Sequence, residues 1–138
     1  MRLKIITPAQ TRFDRQVSRV IVRAKTGDMG ILPGHAPYSA VLDYGVLRIQ
    51  EDEAERLMAI YGGLAVVQND QVTILTDDAE WPEEIDLTRA NMNRVQAEQR
   101  LREKLDDMEI QNDQVLLRRA LVQIEVSASL HGIEEEEI

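Results

Sequence analysis

The sequence predicts an α+β chain, with an N-terminal antiparallel β-sandwich over residues 1–82 and a C-terminal antiparallel two-helix hairpin over residues 83–138. Two observations carry this expectation. All four prolines (Pro8, Pro33, Pro37, Pro82) and six of the seven glycines precede Glu83, so turn-makers crowd the first part and nearly vanish from the second. The first part also breaks into short apolar runs between turn signals, the pattern of a sandwich or barrel, whereas the second carries apolar residues at helical spacing. The boundary falls near Trp81-Pro82.

In order along the chain, the expected strands are Arg2–Thr7, Val17–Lys25, Tyr38–Leu42, Val46–Gln50, Glu55–Tyr61, Leu64–Gln68 and Val72–Thr76. Leu3 and Ile5 alternate with Lys4, and Val72, Ile74 and Thr76 alternate with Thr73 and Leu75, as half-buried strands require. Thr26–Gly30 reads as a tight turn and Tyr61-Gly62-Gly63 as a break. Asn69-Asp70 reads as a two-residue hairpin turn, because both residues tolerate positive φ. No connection holds a helix-length amphipathic pattern, which argues against parallel βαβ units. One helix is expected over Leu87–Met108, with Ala90, Ala97, Leu101 and Met108 on its buried face and Arg94 interrupting it. A second is expected over Asp113–Leu130, capped by Asp113, with Leu117, Ala120, Leu121, Ile124 and Ala128 buried. The run Glu134–Glu137 is expected to be solvated or disordered. Alanine burial contributes little per residue, so the hairpin should be marginal alone and free to detach or dock elsewhere.

Composition narrows the function. With 16 Lys+Arg against 25 Asp+Glu the net charge is −9, the wrong sign for a nucleic-acid binder. Cysteine is absent, which excludes disulfides, thiolate nucleophiles and Cys-ligated metals. No apolar run reaches the ~20 residues of a membrane span, and the N-terminus turns polar too soon for a signal peptide. A soluble intracellular protein is the expectation.

Catalytic chemistry finds few candidates. His35 and His131 are far apart in sequence, and neither belongs to a His-x-x-x-His pair. His35 sits in the Pro33–Pro37 loop, where pinning the loop by hydrogen bonds is its favoured role. No Gly-x-Ser-x-Gly elbow exists. The acidic tail lacks the scaffold that gives a metal site its geometry, so no metal site is expected. The Thr26–Gly30 segment fits neither common phosphate-binding fingerprint. Ile85-Asp86-Leu87-Thr88-Arg89-Ala90 is more specific. Asp86 can cap a helix and also accept from a nucleotide, and Arg89 shares its helix face and could pair with phosphate. Arg118 and Arg119 could add a second positive wall.

Gly27-Asp28-Met29-Gly30-Ile31-Leu32-Pro33-Gly34-His35-Ala36-Pro37, followed by Gly45–Ile49, Gly62–Val67, Val72–Asp77 and Glu84-Ile85-Asp86, resembles the epsilon subunit of bacterial F-type ATP synthases. The resemblance runs essentially the whole chain, in order and with family spacing. It implies a flattened sandwich, usually counted as ten strands, and a helical hairpin. It further implies a non-catalytic central-stalk subunit, bound to the gamma subunit and the c-ring and peripheral to the cytoplasmic face of the cell membrane. The hairpin is implied to extend towards the alpha/beta catalytic head and inhibit ATP hydrolysis.

The same resemblance assigns roles to single residues. Asp28 becomes a candidate contact with the c-ring, His35 a candidate partner contact, and Arg118 and Arg119 candidate contacts with an acidic segment of the head. Ile85, Asp86, Arg89 and Ala90 match the motif through which some members bind ATP as a regulatory ligand; no cofactor is required. Such members tend to carry two arginines one turn apart on the second helix. Arg119 aligns with the first, but Gln123 stands at the other, which implies binding about ten- to a hundredfold weaker for one lost charge-assisted bond. Trp81-Pro82 also departs from the family pattern and marks the hinge, with Trp81 expected to anchor the retracted hairpin between sandwich and first helix. The alternative is a stand-alone nucleotide-sensing module.

Overall fold

The computed structural model describes residues 1–103 and 106–136, with side chains described through residue 128. Its strands are β1 (Arg2–Ile6), β2 (Thr11–Gln16), β3 (Arg19–Ala24), β4 (Gly27–Ile31), β5 (Tyr38–Glu51), β6 (Ala54–Gln68), β7 (Gln71–Leu75) and β8 (Ala79–Glu80). A 3₁₀ turn (Pro82–Glu84) and helices α1 (Leu87–Arg100) and α2 (Asp107–Glu136) follow. The chain divides into two compact units, Met1–Trp81 and Pro82–Ile138.

The strand order in the first unit is β2-β1-β7-β6-β5-β3-β4, with β8 added alongside β6. Four of the expected strands merge into two, because their turn signals bend the sheet rather than end it. Tyr38–Leu42 and Val46–Gln50 join as β5, and Glu55–Tyr61 and Leu64–Gln68 join as β6. At the bend Gly62 and Gly63 adopt φ of 77° and 123°. Facing them, the β3–β5 register shifts between Ile21 and Ala24. The long hairpin thereby serves both layers, and the described residues hold eight strands rather than ten.

Three strands were not among the expected runs. β2 and β4 are the two ends of the sheet order, and β8 is two residues long. The Thr26–Gly30 tight turn is therefore corrected: Gly27–Ile31 is a strand paired with β3, and Gly27 opens it at φ 127°. The Asn69-Asp70 hairpin turn is present, with φ of 52° and 57°. β1 and β7 pair in parallel, the exception in an otherwise antiparallel sheet; no helical crossover is needed because β2 to β6 lie between them in sequence. Leu3, Ile5, Val20, Ile31, Ile49, Met58, Ala65, Val72 and Ile74, all fully buried, fill one core drawn from both halves of the bent sheet.

In the second unit the first helix is shorter than its apolar pattern predicts. It stops at Arg100, where Leu101, Arg102 and Glu103 donate to the carbonyls of Ala97, Gln99 and Arg100 and tighten the chain out of the helix. The second helix begins at Asp107, so Asp113 is not its cap. Asp106 takes that role: its Oδ1 accepts from the Glu109 N–H at 2.8 Å. Asp106-x-x-Glu109 is the spacing of a capping box, which outcompetes the later Asp113.

The buried faces shift with these boundaries. Ala90 and Ala97 are buried, but Met108 is exposed on α2. On α2 the buried residues are Asp113, Ala120, Val122, Val126 and Ser127, while Leu121 is exposed. Ala128 is exposed too. Asp113, Ala120 and Ser127 share one stripe and Val122 and Val126 another, in keeping with α2 packing against both α1 and the 3₁₀ turn. Among the described residues no helix is long and apolar enough to cross a membrane. The side chains of His131 and Glu134–Glu137 lie outside the described residues.

Candidate functional site

The first turn of α1 assembles the nucleotide-motif residues. Asp86 occupies the N-cap in extended backbone geometry, and its Oδ1 accepts from the Arg89 N–H at 3.1 Å. Its carbonyl accepts from the Ala90 N–H at 2.9 Å. One carboxylate oxygen is thus engaged by the helix end, while the side chains of Asp86 and Arg89 remain exposed. Ile85 is half-buried and donates its N–H to the Pro82 carbonyl at 3.2 Å. Ala90 is fully buried.

The far end of the hairpin is closed by an ion pair that the sequence did not announce. Arg100 Nε donates to Asp113 Oδ2 at 3.0 Å, and Asp113 is buried. The hydrogen bond and the charge of Asp113 raise the Arg100 pKa above its ordinary value. The signal was present as an Asp on the small-residue stripe of α2, but a capping reading absorbed it. This pair also sets the register. Carried back along α1 and forward along α2 at equal rise, it brings Ala90 level with Gln123 and Arg94 level with Arg119. Arg94 is itself bonded to Glu98 at 3.2 Å. Arg119 is half-buried and Arg118 exposed.

The other candidates lie on the sandwich. Asp28 is exposed on the end strand β4, opposite Arg23, whose Nε stands 3.6 Å from its Oδ1. His35 is half-buried; its Nδ1 donates to the Ala36 carbonyl at 2.7 Å, and its ring meets Tyr38 edge-on at 6.5 Å. The loop is further tied by the Gly34 N–H, which donates to Asp70 at 3.2 Å. Exposed Leu32 and Tyr38 flank it.

Trp81 is half-buried against the sandwich. Its ring lies 6.0 Å from that of Phe13 at 58°, and the Arg56 guanidinium sits 3.9 Å above it. Pro82 is buried at the head of the 3₁₀ turn. Among the described residues no cluster of three or more metal-ligating side chains occurs.

Comparison with known proteins gives this geometry a context. Residues 1–82 match the family of the ATP synthase delta/epsilon chain β-sandwich domain, and residues 83–128 its long α-helix domain. The chain is 40% identical to the ATP synthase epsilon chain of Bacillus velezensis, across 94% of this chain and 98% of that one. It is 40% identical to the epsilon chain of Synechococcus elongatus across 78% of each. Its backbone superposes on a chain of the Euglena gracilis mitochondrial ATP synthase OSCP/F1/c-ring assembly with a TM-score of 0.80, at 25% identity over 94% of this chain and 80% of that one. A chain of the Tetrahymena thermophila ATP synthase central stalk and c-ring shares the fold, with a TM-score of 0.61 at 14% identity over 92% of this chain and 96% of that one. With both of its parts matched, the chain belongs to the ATP synthase delta/epsilon family.

Proposed function

We propose that the chain is a non-catalytic rotor subunit of an F-type ATP synthase, held at the cytoplasmic face of the membrane through its complex. The sandwich would bind the gamma subunit and the c-ring, and the hairpin would restrain ATP hydrolysis at the alpha/beta head. The observation that carries this reading is the likeness, over 94% of the chain, to a chain in an assembly of F1 and c-ring. Asp28 on the sandwich is the residue assigned to the ring, and His35 in its braced loop is a further partner contact. Arg118 and Arg119 on α2 are assigned to an acidic segment of the head. The junction at Pro82 supplies the hinge.

ATP enters as a weak regulatory ligand at the start of α1. Asp86 and Arg89 stay accessible there, and Arg119 would supply a further cation from α2. The experiment that tests the whole reading is affinity capture of the tagged chain from native membranes, with mass spectrometry of what it retains. Recovery of gamma and c subunits in fixed proportion is expected. A chain recovered without them, yet still binding ATP, would be the stand-alone nucleotide sensor instead.

A further inference from the structure

We infer that the pivot of the helical unit is the 3₁₀ turn Pro82–Glu84 and that α2 is the clamp that keeps it wound; the inference rests on the mobile hairpin proposed above. The chain just before the turn is fastened to the sandwich residue by residue. Ala79 and Glu80 pair with Ile60 and Ala59 of β6, and Ala79 is 2% exposed. Tyr61, itself buried, donates its hydroxyl to Glu80 Oε1 at 2.6 Å. Trp81 is held between the Phe13 ring and the Arg56 guanidinium. Arg56 is steadied in turn by Glu51, which also reaches Arg15. The partly exposed cation over the indole and the tilted ring behind it add to the β8 pairing in holding Trp81 against the sandwich.

The chain just after the turn is equally committed, because Asp86 caps α1. Between these fixed points the backbone closes on itself through the Ile85 N–H to the Pro82 carbonyl at 3.2 Å. A 3₁₀ turn has poorer hydrogen-bond geometry than an α-helix, so a single turn is readily unwound unless something packs on it. α2 does pack on it, alongside α1. Departure of α2 therefore removes the support of the turn, and the two events become one switch. Trp81 stays with the sandwich whichever way the helices lie, so its emission reports the anchor and not the hairpin.

The test uses the full chain with the buried stripe of α2 disrupted, as V122D/V126D, and follows amide exchange and Trp81 emission. The Ile85 amide should exchange at least about tenfold faster than in the parent. The β6–β8 amides and the Trp81 spectrum should stay unchanged, even if α2 melts altogether. An Ile85 amide exchanging at the parent rate would overturn the clamp. Loosening of the β6–β8 amides and Trp81 together with Ile85 would overturn the anchor. Both readouts come from the isolated chain, so their failure leaves the rotor role standing. Failure to capture gamma and c subunits would remove that role without touching the pivot.

Discussion

Gly63 shows how much a single position can constrain. A Cβ placed there would lie 1.9 Å from the Leu75 carbonyl oxygen, and the backbone holds φ at +123°. Gly63→Ala must break the β6–β7 contact or abandon that dihedral, and we expect a loss of about 2–4 kcal/mol in denaturant unfolding. Asp28→Arg should behave differently. It replaces an exposed cross-strand partner of Arg23, so the fold should survive while coupling between hydrolysis and ion pumping weakens. Normal pumping by reconstituted vesicles carrying the variant would end the assignment of Asp28 to the ring. Asp14 supplies a pH signature, since the hydrogen bond from Arg2 at 2.6 Å lowers its pKa. A carboxylate whose folded pKa is depressed stabilises the fold above its unfolded pKa, and that contribution fades as pH falls through the folded value. Asp14→Asn should therefore lower stability slightly at neutral pH and flatten the stability profile below roughly pH 4. The Asp86 cap was legible in the sequence, from an Asp just ahead of a helical pattern. The role of Asp113 was not, because the same residue type caps a helix or pairs across a seam according to where the helix starts.

Elements whose sequence alternates cleanly were the readable ones. β1 and β7 have buried residues at every second position. β2 was hidden by Arg12, Asp14 and Arg15, the charges with which end strands resist unwanted pairing. β4 was hidden by two glycines in five residues. The bend at Gly62-Gly63 resembled a chain break because local sequence gives the turn signal but not the continuity of the β5–β6 ladder across it. The hairpin boundaries moved for a related reason, as Met108 was assigned to the wrong helix. With α2 starting at Asp107, truncation after Met108 removes nearly the whole of it and leaves α1 in place. The truncated complex should hydrolyse ATP several-fold faster, with synthesis retained. Unchanged hydrolysis would make the hairpin a passive brace.

At the scale of the molecule, the division between an anchored sandwich and a separate helical unit was visible in where prolines and glycines fall. The fastening of Trp81 was not, since its partners Phe13 and Arg56 are far away in sequence. The nucleotide site proposed above makes a quantitative prediction at this scale, because it would draw on both helices. Gln123→Arg restores the second arginine of the resembled motif, level with Ala90 across the seam. It should tighten ATP binding by about ten- to a hundredfold in calorimetric titration, and Arg89→Ala should remove binding. Indifference of the affinity to both substitutions would leave a rotor subunit with a plain mechanical hinge.

The parallel pairing of β1 with β7 bears on how the molecule is made. Synthesis delivers β1 first, yet one of its two neighbours is residues 71–75, the last long strand of the sandwich to appear. Until then Leu3 and Ile5 have only the β1–β2 hairpin to cover them, and an isolated hairpin is marginal in water. The core therefore cannot close piecemeal behind the ribosome. It waits for β7 and then forms in one long-range step, slow for its size because the loop to be closed is nearly the whole domain. The helices emerge afterwards, when the sandwich that carries them already has what it needs to fold.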